Sequence, residues 1–544
     1  MKFEKLRFSL TRIWLIAIAA AYFTVILNFS FWRYILTHIE IEDFQTLLFV
    51  CSMPFLLFIL LAAIFNIILL PYITKPLLGL LLIISSTANY MMYKYSIYID
   101  SDMIRNVFET NSREAFDLIT LGLLAWVLML GILPAIALFF IKIEYKPFFK
   151  ELQRGTFVLL VCFSTTAVLA FAFYKDYASF GRNNREVRKL INPANHIYAL
   201  VRYFQIEALA KRQFMRLDEN AKLVPFEDPY PTVFVLVLGE TARALNFSLG
   251  GYEKETNPQL SKQDMAYFKE VFSCGTATAV SVPCMFSHMS ASKFNNNDAA
   301  FTENVMDLLK QSGYNIIWLE NDDGCKGVCN RVYTENMVKT NNPKYCNGEY
   351  CIDEALIDGF EDRLKQITKN TVIVLHTMGS HGPTYYKRYP NKFKVFKPTC
   401  DTADLSKCSR EAIINTYDNT ILYTDFIISS VIDSLKKFPE LESGLLYLSD
   451  HGESLGENNI YLHGFPYKIA PTEQKEVPMA LWMSENMKKY DHVDYECIKN
   501  EAQNNKYSHD NLFHTMLGIL EVKTEKYDPK LDVITPCRLR PLPQ

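Results

Sequence analysis

An excess of basic residues is missing from this chain: 56 Lys and Arg stand against 59 Asp and Glu, a formal net charge of −3. With no long basic stripe beside exposed aromatics, no nucleic-acid partner is expected. Internal repeats and low-complexity tracts are missing too, which argues against a solenoid or a disordered scaffold. No cysteine pair has Cys-x-x-Cys spacing and no histidine stands at zinc-finger distance, so the cysteines do not read as a metal site. No clear small-x-small cleavage site precedes Phe31-Trp32-Arg33, and the first apolar run exceeds a usual signal core. It reads as an anchor rather than a cleaved leader.

What is abundant is placed unevenly. The 544 residues are too many for one ordinary core, and the 49% that are hydrophobic concentrate in the first third. Five segments, roughly 12–32, 46–70, 76–95, 118–142 and 156–174, each carry about the 20 apolar residues that a bilayer crossing requires. Ser85, Ser86, Thr87 and Asn89 make the third the weakest. Basic residues cluster at the N-terminus (Lys2, Lys5, Arg7, Arg12) and between the fourth and fifth segments (Lys142, Lys146, Lys150, Arg154), whereas Glu40, Glu42 and Asp43 follow the first. The positive-inside rule then puts the N-terminus in the cytoplasm and everything after Tyr174 outside.

The cysteines test that placement independently. Only Cys51 and Cys162 of the 12 fall in the membrane segments. The other ten suit disulfides in an oxidising compartment. Pairing in sequence order gives Cys274–Cys284, Cys325–Cys329, Cys346–Cys351, Cys400–Cys408 and Cys497–Cys537, and the compartment expected is a Gram-negative periplasm.

Residues 1–174 are therefore expected to be a five-helix transmembrane domain and 231–544 a soluble domain. Residues 175–230, with Arg182, Arg185 and Arg188, read either as amphipathic helices near the membrane surface or as a solvated connector. From about 231 onwards, short apolar runs at Val233–Leu238, Asn315–Leu319, Val372–His376, Leu445–Ser449 and Met479–Met483 alternate with helical patterns such as Glu303–Ser312 and Ala412–Lys437. Runs apolar on both faces are buried strands, and the alternation predicts a doubly wound α/β domain.

Two of these runs end in groups that bind metals. Glu240 follows the first, and Asp450-His451 follow the fourth. The C-terminal ends of parallel strands are where active sites form, and Zn²⁺ takes carboxylate and imidazole donors. Between them lies Cys274-Gly-Thr-Ala-Thr278-Ala-Val-Ser-Val-Pro-Cys284, a hydroxyl-rich turn before a helix. A metal would activate one of its hydroxyls as a nucleophile, and Thr276, Thr278 and Ser281 are equal contenders on this reading. His381 and His463, flanked by glycines, suit phosphate binding, a second metal or protonation of a leaving group. His376, inside an apolar run, reads as a core histidine. Lys326, between Cys325 and Cys329, suits a phosphate contact. Asn106, Thr110 and Glu114 are four apart and share a helix face that would suit an amine head group.

Together these stretches resemble the lipid A phosphoethanolamine transferases, including the mobile colistin-resistance enzymes. The residues that carry it are Val237-Leu-Gly-Glu240-Thr-Ala-Arg243, Ser273-Cys-Gly-Thr-Ala-Thr278-Ala-Val-Ser-Val-Pro-Cys-Met-Phe286, His381-Gly-Pro383, Asn415-Thr-Tyr-Asp-Asn419 and Ser449-Asp-His-Gly-Glu-Ser-Leu-Gly-Glu457. The resemblance implies a soluble α/β/α sandwich of alkaline-phosphatase/sulfatase type. It implies Thr278 as nucleophile, and Glu240, Thr278, Asp450 and His451 as Zn²⁺ ligands. Donor or phosphate contacts fall to Asn106, Thr110, Glu114, Lys326, His381 and His463. The implied reaction moves phosphoethanolamine from phosphatidylethanolamine to a lipid A phosphate through a phosphothreonine, releases diacylglycerol, and confers resistance to cationic peptides such as polymyxin. A membrane-bound monomer is expected.

Rival readings are a phosphoglycerol transferase of lipoteichoic-acid-synthase type, transfer to a core sugar, and a non-catalytic sensor. A sulfatase is disfavoured because Cys284-Met-Phe lacks the Cys-x-Pro-x-Arg context of formylglycine.

Overall fold

A computed structural model describes residues 9–95, 99–101, 103–104, 120–209, 212–224 and 229–540. The chain divides into two compact units, Met1–Lys211 and Arg212–Gln544.

In the first unit, four continuous helices among the described residues are long and apolar enough to cross a membrane: Phe44–Ile68, Thr74–Lys94, Leu121–Phe140 and Phe148–Ala172. The span expected at 12–32 is instead a bent pair, Arg12–Leu27 and Phe29–His38, meeting at 55°, and counting the pair as one span makes five. The bend has a chemical cause. Asn28 donates its amide to the carbonyls of Phe23 and Asn192, at 2.8 Å each. Leu27 O accepts from Asn192 Nδ2 at 2.9 Å and from Asn89 Nδ2 at 3.0 Å. Side-chain amides thus take over carbonyls that a straight helix would have paired, which is the condition for breaking a helix in an apolar medium. Ser85, Ser86 and Asn89 weaken the apolar signal of their helix but are fully buried within this unit, where hydropathy cannot see them. The last span begins at Phe148 rather than 156, because the charged turn Lys150–Arg154 is helical too. Two further helices follow, Tyr174–Asn183 and Ala194–Leu209. Between them, Val187 and Leu190 pack into the apolar core of the same unit.

The second unit is built on a seven-stranded sheet. In chain order the strands are β1 (Thr232–Gly239), β2 (Ala266–Phe268), β3 (Asn315–Glu320), β4 (Tyr333–Asn336), β5 (Thr371–His376), β6 (Glu442–Ser449) and β7 (Met479–Met483). They lie in the order β2-β7-β6-β1-β5-β3-β4. The five strands read from sequence are all present, and the short edge strands β2 and β4 are additional. From β6 to β4 the pairing is parallel, whereas β7 runs antiparallel to β6 and β2 antiparallel to β7. The sheet is therefore mixed. Every residue of β1 and β6 is buried, as strands covered on both faces must be.

Helices of this unit include α1 (Thr278–Met285), α2 (Val305–Ser312) and α3 (Arg410–Leu435). Helix α2 starts two residues later than its pattern implied, because Asn304 and Asp307 form a capping box there. Disulfides join Cys274 to Cys284, Cys325 to Cys329, Cys346 to Cys351, Cys400 to Cys408 and Cys497 to Cys537, and Cys51 and Cys162 are free.

Candidate metal centre and active site

Strands β1 and β6 are in register to their last residues, with Gly239 opposite Ser449. Glu240 and Asp450-His451 therefore leave neighbouring strands at one level. All three are fully buried, and they present ligand atoms that lie within 4.8 Å of one another. At Gly452 a Cβ would collide with the backbone oxygen of Glu473, so only glycine lets the chain turn there after the ligands.

The three contending hydroxyls separate cleanly. Thr276 donates to Phe465 O at 2.6 Å, and Ser281 donates to Asp450 O. Thr278 Oγ1 instead donates to Glu240, 3.1 Å from Oε1 and 3.0 Å from Oε2, and lies 3.4 Å from His451 Nε2. Thr278 is the first residue of α1, with Ala277 as the N-cap. Its hydroxyl is aimed at the carboxylate rather than used to cap the helix.

The electrostatics of this cluster call for a cation. Burial, and then the charge of Asp450, pushes the Glu240 carboxyl up to about 7. Burial pushes Asp450 up to about 6, and its Oδ2 is buried with no hydrogen-bond partner. Two carboxylates, an imidazole and a threonine hydroxyl are a hard-to-intermediate donor set of the kind that divalent metals take, and an ion would relieve the cost of gathering like charges out of water. The residues present thus fit a metal.

Several supporting groups have no clear signature in the sequence. Thr241 adopts φ 61°, uncommon for a β-branched residue. From there its hydroxyl donates to Glu240 Oε1 at 2.5 Å and its amide to Asp450 Oδ1 at 3.0 Å. Tyr417, in the Asn415–Asn419 motif on α3, holds that backbone by donating to Thr241 O at 2.7 Å and accepting from Arg243 N at 3.0 Å. His509 lies 3.0 Å from Ser449 O through Nε2 and accepts the Cys274 amide at 3.2 Å through Nδ1, which ties the hydroxyl-rich turn to the end of β6. Thr241 and Tyr417 lie inside stretches that carry the resemblance, whereas nothing in the sequence hinted at His509.

His463 packs against the cluster, and His381 packs against His463. The His463 ring centroid is 4.3 Å from that of His451 and 5.6 Å from that of His381, and His463 Nδ1 lies 3.2 Å from Glu453 Oε2. Lys326 Nζ donates to Asp323 O at 2.8 Å and lies 3.8 Å from Asp322 Oδ2. Asn106, Thr110 and Glu114 lie outside the described residues. His376 is fully buried, as a core histidine would be, but its surroundings are carboxylates, with Glu320 Oε2 2.8 Å from Nδ1. Cys284 is bonded to Cys274, which removes the thiol that a formylglycine would need.

Comparison with known proteins follows the same division of the chain. A Sulfatase family model matches residues 232–522, and a model described as Phosphoethanolamine transferase EptA/EptB matches residues 57–208. The chain is 42% identical over 532 residues to phosphoethanolamine transferase EptA of Escherichia coli K12, covering 96% of each. It is 35% identical over 468 residues to the Escherichia coli phosphatidylethanolamine transferase Mcr-1, covering 84% of this chain and 85% of the relative. The integral membrane lipooligosaccharide phosphoethanolamine transferase A of Neisseria meningitidis has a similar solved structure. Its TM-score is 0.66 at 38% identity, with 98% of this chain and all of that chain covered.

Proposed function

The chain belongs to the phosphoethanolamine transferase family, and on that premise we propose that Thr278 carries the head group between two lipids. Phosphatidylethanolamine is the donor, a lipid A phosphate the acceptor, and diacylglycerol the first product. The single observation that carries this reading is the aim of Thr278 Oγ1, which donates to both oxygens of a buried carboxylate and adjoins His451 Nε2. The name of Mcr-1 supports the donor, and that of the Neisseria protein supports a lipooligosaccharide acceptor.

Glu240, Thr278, Asp450 and His451 would hold a Zn²⁺ ion, which when bound would supply the Lewis-acid charge that makes a threonine alkoxide accessible at neutral pH. The chain's own groups do the rest. Glu240 receives the hydrogen bond of Thr278 and gives its proton a place to go. The oxygen attacks phosphorus, and the bond to the diacylglycerol oxygen breaks. His381 and His463 serve to protonate that oxygen. Lys326 fits the phosphate as a point charge, and Asn106, Thr110 and Glu114 fit the amine. A lipid A phosphate then attacks phosphothreonine and restores Thr278. Added ethanolamine lowers the negative charge of lipid A, so cationic peptides such as polymyxin bind less.

The N-terminus is cytoplasmic and the second unit periplasmic on this reading, and the working form is a monomer. The test uses purified enzyme, head-group-labelled phosphatidylethanolamine and no acceptor, with mass spectrometry of the peptide bearing Thr278. Label on Thr278 is expected. A zinc-loaded but unlabelled protein would overturn the donor, and phosphatidylglycerol would then be tried.

A further inference from the structure

Glu240 has a second set of neighbours. It stands at the end of β1, and the sheet order places β6 on one side and β5, then β3, on the other. The β6 side supplies Asp450 and His451. The other side supplies His376, the last residue of β5, and Asp322, two residues past the end of β3. Glu320 and His376 are partners in register across that pair of strands. Glu240, Asp322 and His376 present ligand atoms within 4.8 Å of one another, and their exposures are 0, 7 and 0%.

The orientation of His376 is the informative point. Its Nδ1 lies 2.8 Å from Glu320 Oε2. Glu320 is itself fixed: Oε2 accepts from Trp318 Nε1 and Oε1 from the Asp322 amide, both at 2.8 Å. A carboxylate behind one ring nitrogen, with the other nitrogen turned into a cluster, is how metal-binding histidines are oriented. The nitrogen so presented, Nε2, is buried and makes no hydrogen bond, with Asp322 Oδ2 4.0 Å away. The ammonium of Lys326 is 3.8 Å from Asp322 Oδ2 and directs its hydrogen bond to Asp323 O.

We propose that Glu240, Asp322 and His376 bind a second divalent transition-metal cation, with Glu240 shared between two adjacent metal sites. Two carboxylates and one imidazole suit Zn²⁺ or Mn²⁺ better than Ca²⁺ or Mg²⁺, whose ligands are oxygen. The site rests on the reading of Glu240, Asp450 and His451 as the first metal centre, because Glu240 serves both. The rival occupant is a proton: His376 as an imidazolium among Glu320, Asp322 and Glu240.

Zinc stoichiometry on the full chain in detergent, loaded with Zn²⁺ and dialysed against metal-free buffer, decides between them. Two ions per chain are expected for the wild type, and one each for Asp322→Asn, His376→Gln and His451→Ala. One ion in the wild type, unchanged by Asp322→Asn and His376→Gln but lost in His451→Ala, would overturn the second site and leave the first standing. No ion in the wild type would overturn both. Two ions that persist in Asp322→Asn and His376→Gln would put the second elsewhere and overturn the proposal. Anomalous scattering at the zinc edge from wild-type crystals gives the same answer without relying on variants that fold: density against His376 Nε2 is expected, and none there overturns the site.

Discussion

Strand β1 and the helix Phe148–Ala172 are both long apolar runs, but they live in different solvents. Every residue of β1 is buried, while Phe163 and Phe171 of the helix are 76% and 72% exposed. Hydrophobicity does not separate the two; the backbone does. A helix satisfies its own peptide groups and can face lipid, whereas a strand draws its hydrogen bonds from neighbours. β1 takes them from β5 and β6 and so belongs inside a sheet. Polar residues differ in the same way. Asn28 in the first unit is buried to repair broken backbone bonds. Glu240 in the second is buried among like charges, a cost that a bound cation or a proton offsets.

The contrast can be broken first at Glu240 and its partner. Thr278→Ala is expected to abolish labelling and lower transfer by about 10³-fold or more, the scale for losing a nucleophile; labelled or active protein would refute the assignment. Next, Leu236→Ala in β1 should destabilise the second unit by about 2–5 kcal/mol. Phe163→Ala on the exposed helix face should cost within about 0.5 kcal/mol. Equal shifts in denaturation midpoint would undo the contrast between core and lipid-facing residues. Asn28→Leu should cost roughly 1–3 kcal/mol, because buried carbonyls lose their donor; a neutral effect in the same melts would mean the bend is not held by that side chain.

A further test concerns pH. Burial holds the His509 imidazole down to about 4 from its ordinary 6.5. The unfolded chain then binds the extra proton between those values, so this contribution is full above about pH 6.5 and is lost as pH falls towards 4. It is on the order of 3–4 kcal/mol. Other buried groups titrate in the same range, so the check is the difference between wild-type and His509→Gln stability curves, which should widen from acid to neutral pH. Parallel curves would remove His509 from the account.

Much of this was legible because it is local. Length and apolarity mark the helices that can cross a bilayer, and buried-strand patterns mark β1, β3, β5, β6 and β7. The candidate ligands Glu240, Asp450 and His451 stand out because they end apolar runs where chemistry gathers. The bend at Asn28 was not legible, since its partners Asn89 and Asn192 are remote in sequence. Neither was the setting of His376, which an apolar run disguises as plain core.

By itself, then, the sequence determined which apolar elements exist, which residues can bind metal, and the family, since each is carried by short contiguous stretches. Only the tertiary structure decided that Thr276 and Ser281 give their hydroxyls to the carbonyls of Phe465 and Asp450, and that β5 and β3 bring His376 and Asp322 to the other side of Glu240. Strand order is set by burial summed over the whole sheet, and no local stretch of residues records it.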